Sequence, residues 1–374
     1  MSLAMLLSGG VDSSVALHLL LRGEVAELGA VSPRDVTAVY LKIWLEDELS
    51  YLGHCPWEDD LSVVREVCRR AGVRLEVLSL QRSYRDLVIE TALAELRAGR
   101  TPSPDILCNR RIKFGAAMRR LEELEDGGGG GITRLASGHY ARQRLGSDGL
   151  AELWRGVDPV KDQSYFLYRL EQRQLARCLF PLGELHKHEV RALAGELSLP
   201  NQRRPDSQGL CFLGGVDFND FVRAHLGEEP GPIRRLDSGD VLGEHRGHWF
   251  YTVGQRKGLG LGGGPWFVVR KEVLTRTLWV VHGGQVERHR ARGLSLSSIH
   301  WISGRAAEED VQHVKLRHGP ALLAASAERK PGGLDLRLEQ PDAAAPGQAA
   351  ILYRGERCLG GGWIEPETSP EALG

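Results

Sequence analysis

The chain opens on an unbroken apolar run, Leu3-Ala4-Met5-Leu6-Leu7, which a pair of glycines closes at once. A short run without alternation, bounded by turn residues, marks a strand buried on both faces, as in a parallel sheet. Further candidate strands fall at 36–41, 74–79 and 132–137. Apolar positions at helical spacing predict helices near 12–22, 59–71, 84–98, 109–125, 171–178 and 187–197. Strand and helix alternating in this way predict an α/β domain, a parallel sheet with helices on both faces. Ligands of such sheets bind beyond the carboxyl ends of the strands.

After about residue 205 the pattern changes to short segments with frequent glycine and proline. Alternating strands follow at Trp266–Val269, Thr277–Val281, Gln312–Leu316, Leu334–Leu338 and Ala349–Tyr353, at the spacing of a small barrel or sandwich. The expected division is 1–204, 205–268 and 269–374: a catalytic α/β domain, a small central domain and a C-terminal β-barrel. The pentaglycine Gly127–Gly131 cannot pack and reads as a surface insertion. No internal repeat is present.

The first apolar run leads into Ser8-Gly9-Gly10-Val11-Asp12-Ser13-Ser14 and then a helical stretch. Strand, glycine turn and helix together aim unpaired N–H groups at an anion, with the helix dipole assisting. The common ATPase loop G-x-x-x-x-G-K-[ST] occurs nowhere in the chain. S-G-G-x-D-S resembles instead the PP-loop of enzymes that split ATP into AMP and pyrophosphate. A second glycine pattern, Gly258 to Gly263, fits G-x-G-x-x-G, but Pro265 and a strand-like stretch follow it where a dinucleotide site needs a helix. His186-Lys187-His188-Glu189 lacks metalloprotease spacing and reads as an exposed helix start.

Composition changes this picture little. A hydrophobic fraction of 42% and a charged fraction of 26% are ordinary for a globular protein. No apolar run reaches the roughly 18–20 residues of a membrane helix. The N-terminus lacks the basic region of a signal peptide, so a cytoplasmic enzyme is expected. The net charge of −1 confines any nucleic-acid site to a local patch. Forty arginines against eight lysines include clusters at Arg110/Arg111/Lys113, Arg234/Arg235 and Arg288/Arg290/Arg292.

The six cysteines form no C-x-x-C pair, so zinc knuckles and thioredoxin-like motifs gain no support, and no metal centre is expected. Cys68 and Cys178 fall in apolar, helix-like surroundings and read as core. Cys108 and Cys211 fall in polar stretches rich in proline or glycine, where a thiol is more open to reaction. In Thr101-Pro102-Ser103-Pro104-Asp105-Ile106-Leu107-Cys108-Asn109, the prolines hold an extended path and place Cys108 near the start of a helix. Asp105 then serves as an acid/base or simply caps the turn. In Asp206-Ser207-Gln208-Gly209-Leu210-Cys211-Phe212, a buried and a reactive thiol are equally open readings.

SGGVDSS, TPSPDILCNRRIKFG, ASGHY, KDQSYFLY, DSQGLCF, GQRKGLGLGGG and CLGGG occur in this order from about residue 3 to 363. Together they resemble the MnmA family of tRNA-uridine 2-sulfurtransferases. The resemblance implies ATP-dependent exchange of oxygen for sulfur at C2 of the wobble uridine in tRNAs for Lys, Glu and Gln. It implies ATP held by Leu6, Leu7, Ser8, Gly9, Gly10, Val11, Asp12, Ser13 and Gly138, with the Leu41 backbone reading adenine. It makes Cys108 the residue that attacks the adenylated uridine or receives sulfur, Cys211 the persulfide carrier and Asp105 the acid/base. A Cys108–Cys211 disulfide would form on sulfur release. Ser103, Pro104 and Asp105 would meet the target base, and Lys161, Asp162, Gln163, Arg317 and His318 the tRNA. Mg²⁺ on the pyrophosphate and a persulfide-donating carrier or cysteine desulfurase complete the expected set. Ser103 and His318 depart from the asparagine and tyrosine usual there, and Leu41 from a methionine.

Overall fold

The computed structural model describes residues 2–25, 28–43, 56–125, 132–206, 217–307 and 310–366. Seven strands lie in the first half: β1 (Ser2–Leu6), β2 (Val36–Lys42), β3 (Arg74–Ser79), β4 (Ile132–Ala136), β5 (Ala141–Leu145), β6 (Ala151–Arg155) and β7 (Cys178–Leu179). Five of them form one parallel sheet in the order β3-β2-β1-β4-β7. The apolar run of β1 is buried from Leu3 onward because it is the central strand, covered on both faces. Strand order reverses at β1, so the crevice beyond the carboxyl ends of β1 and β4 is the topological switch point.

The helices Val11–Arg22, Pro56–Ala71 and Lys187–Glu196 match the expected segments closely. Val11–Arg22 ends as its composition requires, on Gly23 in the left-handed region, whose N–H caps the Leu19 and Leu20 carbonyls. At 171–178 the expected helix is replaced by one helical turn, Gln172–Leu175, followed by the edge strand β7. Over so short a stretch periodicity cannot separate the two, and pairing of Cys178 with Leu135 decides for the strand.

The central part contributes a helix, Phe218–Leu226, and four strands: β8 (Gly231–Arg235), β9 (Val241–His245), β10 (Trp266–Glu272) and β11 (Thr277–His282). They form a separate sheet in the order β10-β11-β8-β9. A division after residue 268 therefore falls inside β10, and the sheet carries the central unit on to His282.

β12 (Ala291–Trp301), β13 (His313–Lys315), β14 (Leu323–Lys330), β15 (Gly333–Asp342), β16 (Ala349–Arg354) and β17 (Arg357–Ile364) close on themselves. The circuit runs β12-β15-β14-β13-β16-β17 and back to β12, a closed antiparallel barrel. The hairpin β5–β6, absent from the sequence reading, extends this C-terminal sheet by pairing β6 with β17. Glycines in Cys358-Leu-Gly-Gly-Gly make room for the join: a Cβ on Gly361 would lie 3.1 Å from the Tyr168 ring and 2.4 Å from the Ala350 carbonyl. One apolar core runs continuously through both halves, from Ala4 and Ile106 to Tyr168, Ile351 and Tyr353.

Candidate active site

The loop after β1 bends at Gly9, whose φ of 78° a side chain would strain. Its geometry is then fixed from several directions. Ser13 and Ser14 each donate a hydroxyl to the Gly10 carbonyl at 3.1 Å, and the Ser8 N–H donates to the Ser13 hydroxyl at 3.3 Å. Asn201 donates to the Gly9 carbonyl at 2.9 Å and to the Ser14 hydroxyl at 3.0 Å. Arg204 reaches the same carbonyl at 3.2 Å and also pairs with Asp60. Ser137-Gly138-His139 leaves β4 beside this loop. A Cβ on Gly138 would stand 2.9 Å from the backbone nitrogen of Ser13.

A cavity of about 320 Å³ opens at this point, within the range of small-molecule sites. Leu6, Leu7, Ser8, Gly10, Val11, Asp12 and Ser13 form one wall, Leu41 and Gly138 contribute further, and Cys108, Lys161 and Gln163 complete it. Gly9 shapes the loop without lining the cavity. The structure thus unites segments that lie far apart in sequence.

Cys108 differs from expectation in its setting. The helix begins at Pro104, a residue suited to the first helical position, so Cys108 sits one turn inside it and is only 1% exposed. Ser103 holds the N-cap position and Asp105 the first turn. This loop leans on the barrel, for the Thr101 N–H donates to the Pro346 carbonyl at 2.7 Å. From Cys108 to Ala116 the helix winds as a π-helix before returning to α-form at Ala117–Glu125. Gln174 accounts for the wide winding: its amide inserts to donate to the Arg110 carbonyl at 3.0 Å and the Phe114 carbonyl at 2.6 Å.

Lys161 and Gln163 face the cavity, but Asp162 between them points inward and is 1% exposed. Its carboxylate accepts from Lys315 of β13 at 2.6 Å, from Arg155 at 3.1 Å and from the Ser164 N–H at 3.1 Å. Burial alone would raise its pKa; the Lys315 ammonium outweighs this and holds it below the usual carboxylate range. Arg317 grips Asp342 with two hydrogen bonds, and His318 stacks on Phe166 with ring centroids 4.7 Å apart. Cys211 and Cys55 lie outside the described residues, as does the pentaglycine. Cys68 and Cys178 are buried thiols; burial pushes Cys68 up to about 11 and Cys178 further still, so both are inert core.

Several polar residues at the site were not legible beforehand. Lys187 begins its helix as expected but is not exposed: it bridges Asp12 at 2.5 Å and Asp206 at 2.8 Å. Asp206 also takes Lys161 at 2.7 Å and pairs with Arg191. Burial raises the Asp206 pKa, yet hydrogen bonds from Lys161 and Lys187 win and keep it ionised well below the usual range. Tyr140 donates to Asp12 at 2.9 Å. His139 pairs with the Ser137 hydroxyl at 2.8 Å; burial, aided by the Lys113 charge, drives its pKa well down and keeps the ring neutral. The only sequence signal for this set is its crowding around motif segments, since pairings such as 12 with 187 span half the chain.

Fold and crevice define an enzyme of the nucleotide-binding α/β class with two β modules appended. Family models divide the chain in the same way: a tRNA methyl transferase HUP domain over residues 1–215, a tRNA methyl transferase PRC-barrel domain over 219–282 and an aminomethyltransferase β-barrel domain over 291–364. Within that class the chain belongs to the tRNA-specific 2-thiouridylase (MnmA) family. A member from Herminiimonas arsenicoxydans is 41% identical over 381 residues, covering 98% of each chain. One from Polaromonas sp. strain JS666 is 40% identical, covering 98% of this chain and 93% of its own. One from Shewanella denitrificans is 39% identical, covering 96% and 94%. Among the described residues no helix is long and apolar enough to cross a membrane.

Proposed function

We propose that the protein catalyses ATP-dependent 2-thiolation of the wobble uridine in tRNAs for Lys, Glu and Gln. The supporting observation is that Cys108 and the SGGVDS loop line one cavity at the switch point of the sheet. A pyrimidine carbonyl oxygen is a poor leaving group, and adenylation splits one hard displacement into two easier ones. Uridine O2 attacks the α-phosphorus of ATP, the bond to pyrophosphate breaks with its electron pair, and Asp105 accepts the N3 proton. The terminal sulfur of a Cys211 persulfide then bonds to C2 as the C2–O bond breaks onto AMP. Attack of the Cys108 thiolate on the inner Cys211 sulfur breaks the S–S bond, leaves 2-thiouridine and forms a Cys108–Cys211 disulfide, which a cellular thiol reduces. A persulfide carrier or cysteine desulfurase reloads Cys211.

Loop N–H groups and the hydroxyls of Ser8 and Ser13 suit the phosphates, with adenine over Leu41. Asp12 and Asp206 offer the hard oxygen donors that Mg²⁺ on pyrophosphate prefers. Lys161, Gln163 and Arg317 suit the tRNA backbone, where association falls steeply with salt. The target uridine is already unpaired, so withdrawing it from the anticodon stack costs about a few kcal/mol. Methyl transfer, the reaction named in the domain descriptions, would leave an ATP loop and two motif cysteines without a task.

The test is sulfur incorporation into purified tRNA, read as retardation on a mercury-containing gel with a persulfide source supplied. A retarded band that needs ATP and vanishes with Cys211→Ser is expected. Absence of both the band and AMP from the wild-type reaction would end the proposal. Gly138→Ala should weaken ATP binding by about tenfold or more, because the new methyl meets the rigid Ser13 backbone. Equilibrium binding of ATP to the variant checks this, and an unchanged Kd would mean that the Ser13 N–H holds no phosphate.

A further inference from the structure

Arg110 and Arg111 follow Cys108 on the π-helix but take no part in lining the cavity. The fold sets two further arginines beside them, Arg169 and Arg173, from the stretch that follows the cavity residues Lys161 and Gln163. Glu171 joins the two sets: one of its oxygens accepts from Arg110 at 3.1 Å and the other from Arg173 at 3.0 Å. Arg111 spends Nη1 on the Leu87 carbonyl at 2.6 Å and the Thr91 hydroxyl at 3.1 Å. The Arg169 guanidinium lies 5.2 Å from the centroid of the Trp363 ring and donates to the Ser298 carbonyl at 3.4 Å. Among the described residues no carboxylate except Glu171 pairs with any of the four, so four guanidiniums share one negative charge. Their crowding is felt locally. After burial, the larger cause, the charges of Arg110 and Arg169 push the Arg111 pKa down, and the same two act on His300 of β12.

All four side chains keep contact with solvent, Arg173 most of all at 78% exposure. Half-exposed pairs such as those to Glu171 are weak, and a stronger anion can join or displace them. Guanidinium matches phosphate with a planar fork of donors, and Arg169, already held against an indole, loses little freedom on binding one. On a chain of net charge −1, a local excess of arginine is what a nucleic-acid contact requires. An RNA that sends one base into a cavity of about 320 Å³ leaves its neighbouring phosphates outside, over the surface beside Cys108. We propose that Arg110, Arg111, Arg169 and Arg173 form a docking surface for tRNA outside the cavity, gripping its backbone phosphates. This rests on the function proposed above. Contacts of this kind fix the register of the RNA and read no sequence.

The experiment measures binding of an unmodified transcript of the tRNA for Glu to the full-length protein across a salt series, by fluorescence anisotropy. Arg169→Gln combined with Arg173→Gln is expected to weaken binding about tenfold at about 0.1 M salt. The slope of log Kd against log salt should fall by about 1.5–2, close to one phosphate for each arginine. Lysine at both positions keeps the charge and should restore most of the slope. Glu171→Gln should tighten binding by about threefold, because it frees Arg110 and Arg173, and no misfolded variant gives such a gain. A double glutamine variant with the Kd and slope of wild type would overturn the proposal. Unchanged tRNA binding with slower persulfide uptake from the donor would also overturn it, giving the patch to a protein partner. A wild-type protein that binds no tRNA would count against the function itself, a distinct outcome.

Discussion

Cys108→Ser is expected to abolish sulfur incorporation while leaving the first half of the reaction intact. Serine nearly conserves volume at a site that is 1% exposed and shares the buried core with Ile106 and Ile112, so the fold should survive. An exposed hydroxyl replaces a thiol easily, whereas a buried one costs about 1–3 kcal/mol unless it finds a partner. The chemical loss is much larger. An alcohol at neutral pH is scarcely ionised and cannot break the Cys211 disulfide link, so thiolated product should fall by on the order of 10⁴ or more. Adenylation needs no cysteine. The variant should therefore release about one equivalent of pyrophosphate per site in a burst and then stall. Rapid-quench measurement of pyrophosphate beside the mercury gel separates the halves, and a variant that still thiolates tRNA would remove Cys108 from the mechanism.

Lys315→Ala should produce the largest loss of stability. Lys315 and Asp162 are both fully buried at the side chain, 2.6 Å apart, and join the barrel to the loop that carries Lys161 and Gln163. Removing one partner of a buried pair strands the other charge, at about 3–5 kcal/mol. The depressed Asp162 pKa gives the pH signature. A carboxylate with a lowered folded pKa contributes stability that is present above its unfolded value of about 4 and is lost as pH falls through the folded one. At pH 7 the alanine variant should melt at least about 5 °C lower. Its deficit should shrink in acid, and Asp162→Asn added to it should recover part of the loss. Scanning calorimetry across pH decides; a melting point unchanged at pH 7 would show that the pair does not tie the barrel down.

How much was legible follows from the length scale of each signal. β1, β2, β3 and β4 were placed within a residue or two; the central β1 declares itself by an uninterrupted apolar run, and the others by short apolar-rich segments between helical ones. Leu6 to Ser13, Gly138 and Cys108 were legible as motif residues, and all but Gly9 line one cavity. The β5–β6 hairpin was missed since Arg142, Arg144, Glu152 and Arg155 interrupt its alternation; Arg155 is buried against Asp162, and Arg142 against Glu356, a partner that arrives only with β17. Asp162 was expected beside tRNA as the middle residue of Lys161-Asp162-Gln163, yet its direction depends on Lys315, over 150 positions away. Lys187 looked like surface for the same reason. The π-winding was unreadable too, being imposed by Gln174 from another element.

The β5–β6 hairpin also bears on how such a protein can be rearranged. It arises inside the α/β half, between β4 and β7, yet hydrogen-bonds to the last strand of the barrel. Exchanging the C-terminal module for an unrelated one would orphan a sheet edge and uncover Tyr165 and Tyr168, both buried in the shared core. Recombination at the apparent linker near residue 285 would thus cut through a joint and leave both fragments defective. The central sheet β8–β11 keeps a small core of its own in Ile233, Val268, Leu278 and Val280, although Phe221, Val222 and Trp249 of the same unit are buried in the shared core.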